Sequence, residues 1–442
     1  MNAQKLGICL MPRWIFAFIL PCLLLSLGVL TQAQAAEREL VILTTFSREP
    51  LLPLVEEFSR RYQGIEVQII HRRAQSSVQL LNKSYIQNID LVLSSSPYLM
   101  QNLAQSGKLA ALPEPMQTPE WLKPYALPMT EHVATIGYSG AGLVWNQDYL
   151  KTHQLPEPKQ FSDLAKPVYF GHVTMSTPAR SGTTQMMVES ILAKYGWQKG
   201  WEILLRVGAN LATASARSFG VSDYIANGQF AVGPTIDSYA LILGRKLDYV
   251  QFVYDESFTL MPTYVAQIRQ NHNDQYAKAF IELLMSNANA VQTNMEGNDF
   301  AKHSVQDQSL VNERFTRLPM GSIIRREECL NDLFDLAITK QLPQLKDTLL
   351  AVLEAKAQFA RRPSVLAKIE QIERTVFTMP ISEQEVDALA IQIAPNSALS
   401  EEQQAESAML LAEKGHEWQM RLEKQLEQAN QELKILLAEE AQ

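Results

Sequence analysis

Short apolar runs alternate with amphipathic helix patterns between residues 39 and about 309, and this alternation constrains the fold of the 442-residue chain more than any other feature. The runs at 40–43, 65–70 and 89–93 have the length of buried strands, and helix patterns follow the first two. Apolar strands separated by amphipathic helices are typical of a largely parallel sheet that is covered on both faces. The pattern therefore predicts an α/β protein.

The α/β pattern falls into two blocks. The segment 134–145 contains glycines and could cross from one lobe to another, and the pattern then resumes at 168–175 with a helix from about 181 to 195. Two α/β blocks joined by extended segments predict a hinged two-lobe protein with its ligand between the lobes. The predicted boundaries are 36–135 for the first part of the N-lobe, 136–258 for the C-lobe and 259–318 for the return segment that completes the lobes.

Strand patterns end near residue 319, and helical periodicity continues from there. We expect an all-helical C-terminal region, composed of a helical extension at 319–398 and a long coiled-coil-like helix at 399–442. Leu411, Trp418 and Leu422 belong to the apolar stripe of that last helix. The stripe fits packing on the chain's own helices, and it equally fits packing on a partner protein.

The first 35 residues have the pattern of a signal peptide. Lys5 and Arg13 precede an uncharged run at 14–30, and Ala33-Gln34-Ala35 supplies an A-x-A cleavage site. The alternative is an uncleaved membrane anchor, but the run is shorter than the roughly 20 residues of a spanning helix and Pro21 interrupts it. The sequence predicts export with cleavage after residue 35.

Composition excludes several classes of function. The formal net charge of −8 argues against a nucleic-acid partner. Of three cysteines only Cys329 follows the signal peptide, so no internal disulfide can form, and we expect Cys329 to be a small buried hydrophobe. The seven histidines lack a paired ligand spacing, and neither a phosphate-binding P-loop nor a nucleophile elbow occurs. We therefore predict a protein that is not an enzyme and that has no metal site and no cofactor.

The strongest candidate for ligand binding is the loop at 176–184, which is rich in hydroxyl side chains and begins a predicted helix. Backbone N–H groups and the helix dipole favour an anion at such a position, although Ser and Thr also occur there as plain N-caps. A second candidate is Arg217 between Ser215 and Ser218, because a guanidinium can bind a carboxylate or phosphate with two hydrogen bonds. The predicted residues of these two loops are Arg180, Ser181, Gly182, Thr183, Thr184, Ser215, Arg217 and Ser218.

Weaker candidates come from other predicted strand ends. Asp237 and Tyr239 could accept hydrogen bonds from ligand hydroxyls, or they could simply satisfy backbone groups. The remaining candidates are Thr45, Ser47, Arg72, Ser76, Ser95, Ser96 and Ser139.

Several stretches resemble the solute-binding proteins of the iron(III) and phosphosugar class. They include Asp90-Leu91-Val92-Leu93-Ser94, Gly142-Leu143-Val144-Trp145-Asn146, Ser181-Gly182-Thr183 and Gly196-Trp197-Gln198-Lys199-Gly200-Trp201. Within that class the chain is most similar to the phosphoglycerate transport regulatory family, at Met186-Met187-Val188-Glu189-Ser190, Ser215-Ala216-Arg217-Ser218-Phe219-Gly220-Val221 and Val232-Gly233-Pro234-Thr235-Ile236-Asp237. The similarity continues into the helical region at Leu333-Phe334-Asp335-Leu336-Ala337-Ile338 and at Gln344-Leu345-Lys346-Asp347.

This resemblance implies a two-lobed type II periplasmic-binding-protein fold with an appended helical region. It also implies a location in the periplasm of a Gram-negative bacterium and a membrane-bound signalling partner, a kinase, through which phosphoglycerate induces its transporter. Iron-binding members of the class carry adjacent tyrosines where this chain has Asp237-Ser238-Tyr239, so the resemblance does not extend to iron.

The favoured hypothesis is a receptor that closes on a small phosphorylated organic acid and reports to a membrane kinase. Two alternatives remain: a conventional binding protein that delivers a phosphorylated solute to an ABC permease, and a coiled-coil interaction protein whose lobes are vestigial. The sequence does not specify an oligomeric state.

Overall fold

The computed structural model describes residues 38–48, 51–82, 88–112, 118–128, 131–215, 217–269, 274–290, 308–310, 315–393 and 401–440. The predicted signal peptide and its cleavage site lie outside the described residues. The strands are β1 (Arg38–Thr44), β2 (Ile65–His71), β3 (Leu91–Ser94), β4 (Ala134–Ser139), β5 (Ala141–Asn146), β6 (Val173–Ser176), β7 (Leu211–Ser215), β8 (Val232–Ile236), β9 (Val250–Tyr254) and β10 (Met261–Gln267).

Helices surround these strands and then form the C-terminal part of the chain. Those of the α/β part are α1 (Leu52–Arg61), α2 (Ala74–Asn82), α3 (Pro97–Gln105), α4 (Gln147–Thr152), α5 (Gly182–Tyr195), α6 (Trp197–Asn210), α7 (Ser218–Ala226), α8 (Asp237–Gly244) and α9 (Asp274–Ala290). Those of the C-terminal part are α10 (Met320–Arg325), α11 (Glu327–Phe334), α12 (Leu342–Gln358), α13 (Pro363–Val376), α14 (Glu383–Gln392) and α15 (Glu401–Glu440).

The strands form two five-stranded sheets, one in each lobe. The N-lobe sheet has the order β2-β1-β3-β10-β4, and the C-lobe sheet has the order β7-β6-β8-β5-β9. In each sheet one strand runs antiparallel to its neighbours, namely β10 in the N-lobe and β5 in the C-lobe. Each of these strands directly follows a crossing of the chain between the lobes, so the direction of entry sets its orientation.

The first crossing lies at Gly140, between β4 and β5. A Cβ atom on Gly140 would lie 2.6 Å from Cε1 of Tyr254, and one on Gly142 would lie 2.0 Å from the backbone oxygen of Val253. The glycines of segment 134–145 therefore allow the close packing of the crossing. The predicted C-lobe, which begins at residue 136, includes most of β4 from the N-lobe sheet.

The strand in the predicted segment 168–175 is shorter than the sequence suggests. A short 3₁₀ turn at Pro167–Tyr169 comes first, and β6 begins only at Val173. Pro167 has no backbone N–H for a sheet hydrogen bond, and its fixed φ suits the start of a turn.

The helical extension, which we define as α10 to α14, packs on the C-lobe. The Arg326 guanidinium donates to both carboxylate oxygens of Glu189 on α5, over 3.0 and 2.6 Å, and both side chains are buried. On α6, the Trp197 indole N–H donates to the Ile381 carbonyl over 2.8 Å, and Arg206 pairs with Glu373 over 2.8 Å. The charged side chains of this interface are paired and the indole N–H has an acceptor, so these polar groups can be buried without a large loss of stability.

The last helix, α15, packs on the chain's own helices α11, α12 and α13. Its buried apolar side chains follow helical spacing and are Trp418, Leu422, Leu426, Ala429, Leu433 and Leu436. The apolar stripe predicted from the sequence thus faces the helical extension. Among the described residues, no helix is both long enough and apolar enough to cross a membrane.

We predict that Trp418→Ala lowers the free energy of unfolding by about 3–5 kcal/mol, because it removes a large side chain that is 2% exposed and leaves a cavity. Urea unfolding followed by circular dichroism measures this change. The matched control is Met409→Ala on the same helix, where the side chain is 69% exposed and the cost should stay within about 0.5 kcal/mol. Equal effects of the two substitutions would contradict the observed packing of α15.

Glu327 gives the folded protein a pH dependence. Burial raises the pKa of Glu327 from 4.5 to about 8, and the charges of Glu328 and Glu189 add to the rise. The unfolded chain releases this proton at lower pH than the folded protein, so folding stability falls as the pH rises from 4.5 to about 8.

We expect the Glu327→Gln variant to lose less stability than the wild type over this pH range, since an amide cannot ionise. Calorimetric melting temperatures at pH values across the range measure the difference. Glu370→Gln, at an exposed position on α13, should retain the wild-type pH dependence. Parallel curves for the wild type and Glu327→Gln would show that Glu327 ionises as freely in the folded protein as in water.

Candidate ligand-binding cleft

A cleft lies between the N-lobe and the C-lobe. Its N-lobe wall is formed by Thr45, Phe46, His71, Arg73, Ala74 and Ser95, and its C-lobe wall by Arg180, Ser181, Gly182, Thr183, Arg217, Phe219 and Tyr239. The predicted residues Thr45, Ser95, Arg180, Ser181, Gly182, Thr183, Arg217 and Tyr239 are thus brought together in one place.

The sheet topology explains why these residues converge. The N-lobe wall follows the carboxyl ends of β1, β2 and β3, and the C-lobe wall follows those of β6, β7 and β8. The carboxyl ends of parallel strands lie at one edge of a sheet, where open α/β sheets bind their ligands. The two sheets direct these edges toward each other across the cleft.

The electrostatic character of the cleft is positive. Three arginines, Arg73, Arg180 and Arg217, line it together with His71, and none of the described lining residues is acidic. Guanidinium groups donate several hydrogen bonds in a planar arrangement that fits carboxylate and phosphate oxygens. Such a cleft can bind a small anion with more than one negative charge.

Two helices begin at the cleft, and serine caps both. Ser181 Oγ accepts a hydrogen bond from the Thr184 N–H over 3.2 Å at the start of α5, and Ser96 Oγ accepts one from the Leu99 N–H over 3.2 Å at the start of α3. Both hydroxyls therefore act as N-caps. The positive ends of both helix dipoles add to the charge of the arginines.

The two lobes touch each other across the cleft. Ser95 Oγ lies 3.3 Å from Thr183 Oγ1, and Arg217 Nη1 donates to His71 Nδ1 over 2.9 Å. A Cβ atom on Gly182 would lie only 3.1 Å from Cβ of Ser96. The structure is therefore a closed arrangement in which glycine at 182 permits the approach of α5 to α3.

An aromatic wall supports Arg217. Its guanidinium carbon lies 5.5 Å from the ring centre of Phe219, and the Phe219 ring meets the Tyr239 ring edge to face at 6.0 Å. The cation–π contact holds the guanidinium toward the cleft.

The other predicted residues do not line the cleft. Arg72 is exposed and donates to the His71 carbonyl over 2.9 Å, while Ser76 is exposed on α2. Ser215 Oγ donates to the Arg217 carbonyl over 2.8 Å and so shapes the loop that carries Arg217. Ser96, Ser139 and Thr184 are buried and Ser47 is half-buried, and none of them is among the lining residues. The side chain of Ser218 is not among those that the structure describes.

Asp237 belongs to the crossing between the lobes and not to the lining of the cleft. One of its carboxylate oxygens accepts from the Gly140 N–H over 2.8 Å and from the Tyr254 hydroxyl over 3.1 Å. Its buried carboxylate thus ties α8 and β9 to the point where the chain passes between lobes.

Five lining residues were missed by sequence reasoning: Phe46, His71, Arg73, Ala74 and Phe219. His71 and Arg73 flank Arg72, which the sequence analysis named. Which of these neighbouring side chains faces the cleft depends on where strand β2 ends. Phe46 is an apolar residue in a polar loop, and Phe219 is an apolar residue in the first turn of α7, next to polar residues. That contrast was a usable signal. Among the described residues, no group of three or more His, Cys, Asp or Glu side chains could hold a metal ion.

Comparisons with known proteins agree with this geometry. The family described as bacterial extracellular solute-binding protein matches residues 87–319. The phosphoglycerate transport regulatory protein PgtC of Salmonella typhimurium is 34% identical over 337 residues, which cover 74% of this chain and 84% of PgtC.

Solved structures show the same fold at low sequence identity. The periplasmic binding protein P5PA matches with a TM-score of 0.58 and 18% identity, over 68% of this chain and all of that protein. AfuA from Actinobacillus pleuropneumoniae, with fructose-6-phosphate bound, matches with a TM-score of 0.58 and 15% identity, over 70% of this chain and 99% of AfuA. The predicted two-lobed type II periplasmic-binding-protein fold with an appended helical region is confirmed. The chain therefore belongs to the bacterial extracellular solute-binding proteins and is a homologue of the phosphoglycerate transport regulatory proteins.

Proposed function

We propose that this protein is a periplasmic receptor for a small phosphorylated organic acid of the phosphoglycerate type, and that it regulates transport of that acid through a membrane-bound signalling kinase. The observation that carries the ligand class is the cleft with three arginines, two helix starts and no acidic residue among its described lining. A phosphate and a carboxylate on one small molecule complement that charge.

Two similar proteins support the same ligand class. The name of the Salmonella relative refers to phosphoglycerate transport regulation, and AfuA binds a sugar phosphate. We therefore favour a phosphorylated three-carbon acid.

The helical extension favours regulation over simple delivery of a solute. It packs on the C-lobe behind the cleft and does not line the cleft. The match to PgtC, a transport regulatory protein by name, covers 84% of that protein. A receptor can signal only if its closed and open forms present different surfaces to a partner. A kinase that contacts the helical extension would detect that difference.

Removing a cleft arginine should weaken binding. We expect Arg73→Ala and Arg180→Ala each to weaken the binding of 3-phosphoglycerate by roughly ten- to a hundredfold, since a charge-assisted hydrogen bond contributes about 1.5–3 kcal/mol. Isothermal titration calorimetry measures the affinities. The matched control is Arg72→Ala, which removes the same charge one residue away at an exposed position. Equal losses at residues 72 and 73 would show that charge at long range, and not contact, holds the ligand.

A test in cells separates regulation from delivery. In a strain with the transporter under its own promoter, deletion of the receptor gene should abolish its induction by external phosphoglycerate. In a second strain with the transporter expressed constitutively, the same deletion should leave phosphoglycerate uptake unchanged. A reporter fusion measures induction, and radiolabelled ligand measures uptake. Loss of uptake in the second strain would instead identify a conventional binding protein that serves a permease.

A further inference from the structure

Arg217 and His71 meet across the ligand cleft. Arg217 Nη1 lies 2.9 Å from His71 Nδ1 and 3.3 Å from His71 Nε2. A guanidinium has only N–H donors, and an imidazole accepts a hydrogen bond only at a ring nitrogen that carries no proton. An imidazolium carries a proton on both nitrogens and cannot accept. The contact therefore requires the His71 ring to be neutral.

The two side chains come from different lobes, and both are half-buried. His71 is the last residue of β2, in register with Thr44 of β1. Arg217 directly precedes α7, and its guanidinium carbon lies 5.5 Å from the ring centre of Phe219. Both side chains line the cleft. An anion that binds Arg217 from the cleft therefore competes with His71 for the same N–H donors.

The charges around the cleft act on the protonation of His71. The other polar side chains of the described lining are three arginines, four hydroxyl residues and one tyrosine: Arg73, Arg180, Arg217, Thr45, Ser95, Ser181, Thr183 and Tyr239. The exposed Arg72 adds a positive charge beside His71, whereas Thr44 on β1 and all side chains of α2 are uncharged. Asp223 on α7 and Asp237 on α8 are not among the lining residues. This excess of positive charge disfavours a further positive charge on the ring, and a bound dianion reverses the effect.

We propose that His71 takes up a proton when an anion binds in the cleft, and that it then contacts the anion as an imidazolium opposite the Arg217 guanidinium. Each lobe thereby supplies a charge-assisted hydrogen bond to the ligand. The complex holds more protons than the free protein, so ligand affinity falls as the pH rises above neutrality. This role rests on the proposed function of the cleft as an anion receptor, but it applies to any small dianion that binds there.

Calorimetry of the wild type with 3-phosphoglycerate, in two buffers that differ in ionisation enthalpy, counts the protons taken up. At about pH 7.5 the phosphate group is already a dianion, since its second pKa is about 6, so net uptake is by the protein. We expect about half a proton or more per bound ligand. Affinity should fall by up to about tenfold per pH unit between about pH 7 and pH 9. Binding without proton uptake would overturn the proposal.

His71→Gln retains a side chain that donates and accepts hydrogen bonds but does not ionise. This variant should take up no proton, and its affinity should change far less with pH than that of the wild type. The matched control is His132→Gln, at a half-buried position of the N-lobe where His132 Nδ1 lies 3.2 Å from the Ala110 carbonyl oxygen. The control should retain the wild-type proton uptake. Equal uptake in His71→Gln and the wild type would assign the proton to another group and refute the role of His71.

Nitrogen-15 chemical shifts of the His71 ring in the wild type detect the same proton without relying on phosphoglycerate. At about pH 7.5 and without added anion, the shifts should be those of a neutral ring. Sulfate, a dianion that does not titrate in this pH range, should move them to imidazolium values and leave the His132 ring unchanged.

The outcomes separate the role of His71 from the identity of the ligand. A ring that is protonated before any anion is added, or that stays neutral with both sulfate and 3-phosphoglycerate, would overturn the proposal. Protonation with sulfate, together with no binding of 3-phosphoglycerate, would support the role of His71 and refute the proposed ligand. Binding of 3-phosphoglycerate to a ring that stays neutral would do the reverse.

Discussion

The buried ion pair between Arg326 and Glu189 joins the helical extension to the C-lobe. Glu189 is on α5, the helix that begins at the cleft, and Arg326 is at the junction of α10 and α11 in the helical extension. Both carboxylate oxygens receive a hydrogen bond, and Arg326 also donates to Glu383 over 2.7 Å. A charge this deeply buried is tolerated only with full pairing, so the position of the extension on the C-lobe is fixed.

The cleft depends on a different constraint, which is the convergence of strand ends. Six strands end there, and the loops that follow them carry the arginines and the two capped helix starts. The chain crosses between lobes at Gly140, where the Asp237 carboxylate accepts its N–H and the Tyr254 hydroxyl. These polar contacts are buried at the crossing, which gives the lobes a defined pivot next to a cleft of concentrated positive charge.

Much of the fold followed from periodicity, because strands and helices have distinct spacings of buried residues. The last helix was expected at 399–442 and occupies Glu401–Glu440. The glycine-containing segment at 134–145 proved to be the crossing. The site was harder to predict. The sequence analysis named Arg72, whereas Arg73 lines the cleft. Successive side chains at a strand end point in opposite directions, and the sequence does not fix where β2 ends.

The sequence by itself determined the α/β alternation, the change to an all-helical region and the helix start that follows the hydroxyl-rich loop at 176–184, since each depends on neighbouring residues. Only the tertiary structure decided which distant residues meet. His71 and Arg217 are 146 positions apart, and Glu189 and Arg326 are 137 positions apart, yet each pair is in contact. It also decided that α15 packs on its own chain. An apolar stripe specifies that a face will be buried, but the partner depends on the shape and charge of whatever surface is available.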